Sequence, residues 1–124
     1  MAIVAAGSGR FMLVTDAMST IGSSLQSLEL HGKRVVLRDS RLLTDDGTLA
    51  RAALDMAAAV RNVIRLLDCP LEEALQMASL DPARFLAMDH LRGRAAPGFM
   101  ADLVAFDAEM AVMATWIGGR CERA

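Results

Sequence analysis

From about Ala52 to Leu67 the apolar residues Met56, Val60, Val63, Ile64 and Leu67 recur at helical spacing, while Asp55, Arg61, Asn62 and Arg65 take the other side. The spacing predicts an amphipathic helix, which must find a core for one face. Two more helices follow. Asp68-Cys69-Pro70 resets the backbone, with Pro70 suited to a first helical position and Glu72 and Glu73 near the positive helix end, so a second helix should run to about Leu80. Asp81-Pro82 repeats the start signal, Asp81 as cap, for a short third helix through Ala87. On either side the pattern is that of strands. Leu28 to Leu37 forms two short apolar stretches around His31-Gly32-Lys33, a hairpin signal, and Arg41 to Thr44 adds a short strand. After Pro97-Gly98 come Leu103 to Phe106 and Val112 to Ile117, then Gly118-Gly119 and a last short run.

The chain's opening reads differently. Met1 to Ala6 resembles the tail of a helix closed by Gly7, and Phe11-Met12-Leu13-Val14 is a continuous apolar run, as expected of a strand buried on both faces. The run stops at Thr15-Asp16, before a small, polar, glycine-containing stretch, so Asp16 sits where strand gives way to loop. In a parallel barrel that end of a strand carries the chemistry.

Composition limits the function classes. The 124 residues are 54% hydrophobic before nine glycines are added, already above the roughly 45–50% that ordinary soluble domains reach with Gly included. A short chain with such a surplus should oligomerise or lack the neighbour against which it normally packs, and a fragment is expected. The net charge of -2, from 13 basic and 15 acidic residues without a basic run, argues against a nucleic-acid partner. The apolar opening is too short to span a membrane and has no positive leading region, so no membrane or targeting segment is expected. Cys69 and Cys121 lack CxxC spacing and read as reduced thiols of a cytoplasmic protein.

Asp16 is the foremost candidate for chemistry, because a carboxylate at the end of a buried strand is costly unless something uses or pairs it. The structural alternative is that Asp16 caps the next turn, with the Ser19 or Thr20 amides as partners. Both readings stand at this point. His31 and His90 have no second ligand at metal-binding spacing and are expected to face solvent. No GxSxG, Walker, HExxH or GxGxxG motif occurs. Met56, Met77 and Met88 fall on helical stretches as core filling, and Asp102, at the start of a late strand, reads as structural.

The segment Leu13-Val14-Thr15-Asp16-Ala17-Met18 resembles the final barrel strand of the N-acetylglucosamine-6-phosphate deacetylases of the amidohydrolase superfamily. Asp46-Gly47-Thr48-Leu49-Ala50 resembles that family's substrate loop. Val60-Arg61-Asn62, Ala74 to Leu80 with Pro82-Ala83-Arg84, and Pro97-Gly98 with Ala101-Asp102-Leu103-Val104 continue the pattern over nearly the whole chain. The last of these is shared by many amidohydrolases.

The resemblance implies an α/β fold: residues 1–90 as the last strand, hairpin and helices of a (β/α)8 TIM-like barrel, and residues 91–124 as strands of a small accessory β-sandwich. A whole barrel needs about 250 residues, so one or two of its units at most are expected here. It also implies hydrolysis of N-acetylglucosamine 6-phosphate to glucosamine 6-phosphate and acetate, a divalent metal ion, and a homodimer in the full-length enzyme. Asp16 then becomes the catalytic carboxylate, moving a proton from water to the amine leaving group. Leu49, Ala50 and Arg51 would lie along the phosphorylated amino sugar. Arg51 stands where such loops place Gly; it would crowd the sugar or reach its phosphate as a charged donor. Phe99 replaces a common Lys, and Phe85-Leu86-Ala87 a usual Ala-Leu-Gly. The family's metal ligands, a Glu and two His from earlier strands, have no counterpart, so the metal would be bound mainly by residues absent from this chain, and the chain alone should be inactive. The competing readings are a non-catalytic packing or oligomerisation module and an amidohydrolase with another substrate.

Overall fold

The computed structural model describes residues 11–17, 21, 23, 25–30, 33–38, 41–44, 47, 49–52 and 54–123. They form an α/β chain with two small antiparallel sheets. Two compact units are distinguished, residues 14–59 and residues 1–13 with 60–124. The helix expected first, and the turn at Gly7, lie outside the described residues.

The unit of residues 14–59 holds strands β1 (Ser27–Leu30), β2 (Lys33–Arg38), β3 (Arg41–Thr44) and β4 (Leu49–Ala52). They pair in sequence order as an antiparallel meander. The expected hairpin is present, closed by a pairing of Leu30 with Lys33. Val35 and Leu42, each 1% exposed, fill the buried face; Leu42 sits opposite Leu37, two residues on from Val35, so period-2 alternation puts both on one side. The β3–β4 register shifts between Leu42 and Leu43, where a bulge interrupts the ladder.

Helix α1 (Met56–Leu67) starts four residues later than the apolar spacing alone suggests. Asp55 sets that start: its carboxylate accepts the Ala58 amide at 2.6 Å and its carbonyl the Ala59 amide, an N-cap that fixes where the helix begins. Residues 49–52, expected in part as helix, pair with β3 instead.

In the other unit, Val60, Val63, Cys69, Ala74 and Met77 form the core, with Phe11, Leu13 and Met110 packed against it. Helix α2 (Leu71–Ala78) begins after Pro70, whose ψ of 144° places it as the flanking residue rather than inside the first turn. Helix α3 (Leu80–Phe85) is preceded by Ser79, whose hydroxyl donates back to the Leu75 carbonyl at 2.6 Å. Asp81, expected as the cap, lies inside the first turn, buried and ion-paired with Arg84 at 3.1 Å. Gly93, at φ +89°, packs where an added Cβ would lie 2.8 Å from the Leu80 Cα, so a side chain is excluded by both backbone and space.

Strands β5 (Leu103–Phe106), β6 (Val112–Ile117) and β7 (Arg120–Arg123) form the second sheet in sequence order, as the pattern predicted. The β5–β6 turn is closed by Asp107, whose carboxylate accepts the amides of Glu109 and Ala111. Met110 ends that turn at φ 61°. A glycine would suit the conformation better, but the Met110 side chain packs on the core and its carbonyl accepts from the Arg61 guanidinium at 2.7 Å.

The expectation of a strand buried on both faces at Phe11–Val14 is not met. Segment 11–17 forms no strand among the described residues. Its Leu13 amide donates to the Met77 carbonyl at 2.9 Å, at the end of α2. Phe11 and Leu13 pack on the core while Met12 is exposed and Val14 is 77% exposed. A strand needs lateral partners for its N–H and C=O groups, and an apolar run cannot supply them by itself.

Candidate active site

Asp16 follows the half-buried Thr15 and is exposed. Its φ of 50° makes it the position in segment 11–17 where the backbone turns left-handed, a conformation that Asp tolerates better than most L residues. The Ala17 amide donates to the Thr15 hydroxyl oxygen at 3.3 Å, closing a turn around Asp16. Ser19 and Thr20, the amides of the capping alternative, lie outside the described residues.

Leu49, Ala50 and Arg51 lie in β4, in the same compact unit as Asp16. Their backbones belong to the edge of a sheet, with Arg51 opposite Leu42 and Leu49 opposite Leu43. The local likeness to a substrate loop gave no hint of this pairing. His31 is outside the described residues, and His90 is exposed in a turn.

Asp102 is structural, as expected, though through a network that the sequence did not reveal. One carboxylate oxygen pairs with Arg92 and the other accepts the Gly118 amide at 2.8 Å. The Ala101 carbonyl takes the Gly119 amide at 2.9 Å. The acid thereby joins the approach to β5 to the β6–β7 turn.

Among the described residues no group of three or more His, Cys, Asp or Glu side chains is placed to hold a metal ion. One exposed carboxylate is an insufficient donor set for a catalytic divalent cation, which takes about three protein ligands in zinc sites. The described residues therefore do not fit a metal centre. Cys69 and Cys121 are free thiols.

Helices with two antiparallel sheets make this an α/β chain, and solved structures share it. The crystal structure of N-acetylglucosamine-6-phosphate deacetylase from Pasteurella multocida matches with a TM-score of 0.85 and 32% identity, over 94% of this chain and 31% of that one. The model described as the amidohydrolase family matches residues 3–122, and the chain belongs to that family. Among curated relatives, an N-acetylgalactosamine-6-phosphate deacetylase of a Shewanella species (strain ANA-3) is 41% identical over 115 residues, 93% of this chain and 29% of the relative. The N-acetylglucosamine-6-phosphate deacetylase of Vibrio furnissii is 33% identical over 111 residues, 90% of this chain and 28% of the relative. The chain thus spans less than a third of the length of these three proteins. The family is generally metal-dependent. The resemblance read from the segments around Asp16 and Leu49 is borne out as to family.

Proposed function

We propose that this chain belongs to a deacetylase acting on an N-acetylated amino-sugar 6-phosphate, and that Asp16 is its acid–base carboxylate. The observation that carries the reading is an exposed acid presented on a left-handed turn, in a chain whose relatives are named for that reaction. Hydrolysis adds water across the acetamide C–N bond. Asp16 accepts a proton as the water oxygen bonds to the acetyl carbon, then returns it to the sugar nitrogen as the C–N bond breaks, giving free amine and acetate. A carboxyl group suits both steps because the oxygen that takes the proton from water can hand it on to the nitrogen.

Residues 1–90 would supply the last part of a barrel and residues 91–124 the accessory strands. A catalytic divalent metal would be held mainly by polypeptide outside this chain. Leu49, Ala50 and Arg51 would border the sugar. The sequence pattern points to the N-acetylglucosamine ester, and the higher identity to an N-acetylgalactosamine-6-phosphate deacetylase favours the galacto epimer as a second substrate reading. A cytoplasmic homodimer completes the proposal; no helix among the described residues is long and apolar enough to cross a membrane.

The test measures acetate release from both sugar phosphates by the chain alone, and by the chain combined with the amino-terminal remainder of the Shewanella relative. The chain alone should show no turnover. The combination should hydrolyse at least one epimer, and Asp16→Asn should lower kcat about 10²–10⁴-fold. Undiminished turnover by that variant would defeat the assignment of Asp16. A combination that binds yet never hydrolyses either sugar would favour the packing-module reading.

A further inference from the structure

Asp16 is the residue at which segment 11–17 turns to positive φ. Such a turn needs a cause. Asp and Asn enter the left-handed region more readily than other L residues, but as one of several accessible conformations. A hydrogen bond spans this turn: the Ala17 N–H donates to Thr15 Oγ1 at 3.3 Å, so the residues on either side of Asp16 are tied through a side chain. Thr and Ser hydroxyls form such local bonds to a backbone amide two residues on, in place of a bond to backbone carbonyl. The β-branch of Thr also restricts χ1, which limits where Oγ1 can lie. Thr15 is half-buried, Asp16 and Ala17 are exposed, and the hydrogen bond between Thr15 and Ala17 is itself exposed.

We propose that Thr15 is a positioning residue, its hydroxyl holding Asp16 in the left-handed conformation and so fixing the direction in which the carboxylate leaves the chain. The catalytic consequence rests on the acid–base reading of Asp16; the conformational part does not. One carboxylate must reach first a water and then the departing nitrogen, and small displacements of a reacting group cost rate more than they cost substrate binding. Val has nearly the shape of Thr without the acceptor, Ala removes the hydroxyl without the β-branch, and Ser keeps the acceptor.

The experiment begins with nuclear magnetic resonance on the isotopically labelled chain. The intraresidue amide-to-Hα distance of Asp16, shorter at positive φ than in extended backbone, is compared in wild type, Thr15→Val, Thr15→Ala and Thr15→Ser. The signals of Val60 and Met77 report that the core is intact. Wild type and Thr15→Ser should keep the short distance, and the two hydroxyl-free variants should lose it. A short distance that persists in both Thr15→Val and Thr15→Ala would overturn the proposal. So would its loss in Thr15→Ser. In the complemented hydrolase, Thr15→Val should lower kcat about tenfold or more with KM unchanged, and Thr15→Ser should restore it. A conformational change without loss of kcat would refute the positioning role. Full turnover by Asp16→Asn would instead refute the acid–base reading and leave the turn geometry standing.

Discussion

Cys69 lies 6% exposed among Val60, Val63, Ala74 and Met77, and Cys121 is exposed on β7. Burial pushes the Cys69 thiol above its ordinary pKa, and the nearby Glu73 carboxylate pushes the same way. Because the thiolate is the nucleophile, these environments separate the two groups chemically. A thiol-specific alkylating reagent should modify Cys121 in the folded chain and reach Cys69 only on unfolding, as peptide mass analysis with and without denaturant will show. The raised pKa also has a pH signature. The folded state holds the Cys69 proton more tightly than the unfolded state, so the stabilisation is fully present below the unfolded thiol's pKa. It is lost as pH rises through the higher folded value. Chemical denaturation of wild type and Cys69→Ala should therefore show a stability difference that narrows on the alkaline side. A difference that stays constant there would mean that the thiol titrates alike in both states.

At the scale of elements, the end of α3 shows how a local rule is bent. Met88 N–H donates to the Ala83 carbonyl at 2.7 Å and Ala87 N–H to the Arg84 carbonyl at 3.0 Å. Ala87 stands between them at φ 55°. This is the double bond of a Schellman ending, which favours glycine at the left-handed position. The sequence already marked residue 87 as a departure, Ala standing where the resemblance calls for Gly, and the structure supplies the physical meaning. Ala87→Gly should stabilise the folded chain by about 1 kcal/mol, the relief of a left-handed L residue less the added freedom of the unfolded chain. Denaturant midpoints of the two proteins will measure it. Strands such as β5 and β6, and the two longer helices, were legible because their periodicity is carried by consecutive residues: Leu103–Phe106 and Val112–Ile117 read as they fold. β4 was not legible, since Leu49–Ala52 becomes a strand by pairing with β3. Nor was the Asp102 network, whose partners Arg92 and Gly118 lie 10 and 16 residues away. For the candidate site, the sequence marked Asp16 as the end of an apolar run; the sign of its φ and the Thr15 tie are set by the backbone conformation, which residue type alone does not fix.

At the scale of the whole molecule, the apolar surplus in the composition has a structural counterpart. Phe85 is 75% exposed, Leu86 62%, Met113 61% and Ile117 64%. Single exposed apolar residues are ordinary, but several large ones within one small unit favour association when no partner covers them. Fully burying each such side chain is worth about 1.5–3 kcal/mol, so a few together outweigh part of the entropy lost when two chains associate. The net charge of -2 offers little repulsion between copies. Purified alone, the chain should therefore elute with a light-scattering mass above that of one chain, rising with concentration. Phe85→Lys combined with Ile117→Lys should shift it toward the monomer without changing the far-ultraviolet circular dichroism, because neither side chain belongs to the buried core. The amino-terminal remainder of a relative should have the same effect by covering apolar surface, with a one-to-one complex replacing the self-associated species. A wild-type chain that stays monomeric at high concentration, with or without that remainder, would show that this surface contributes too little to hold any partner.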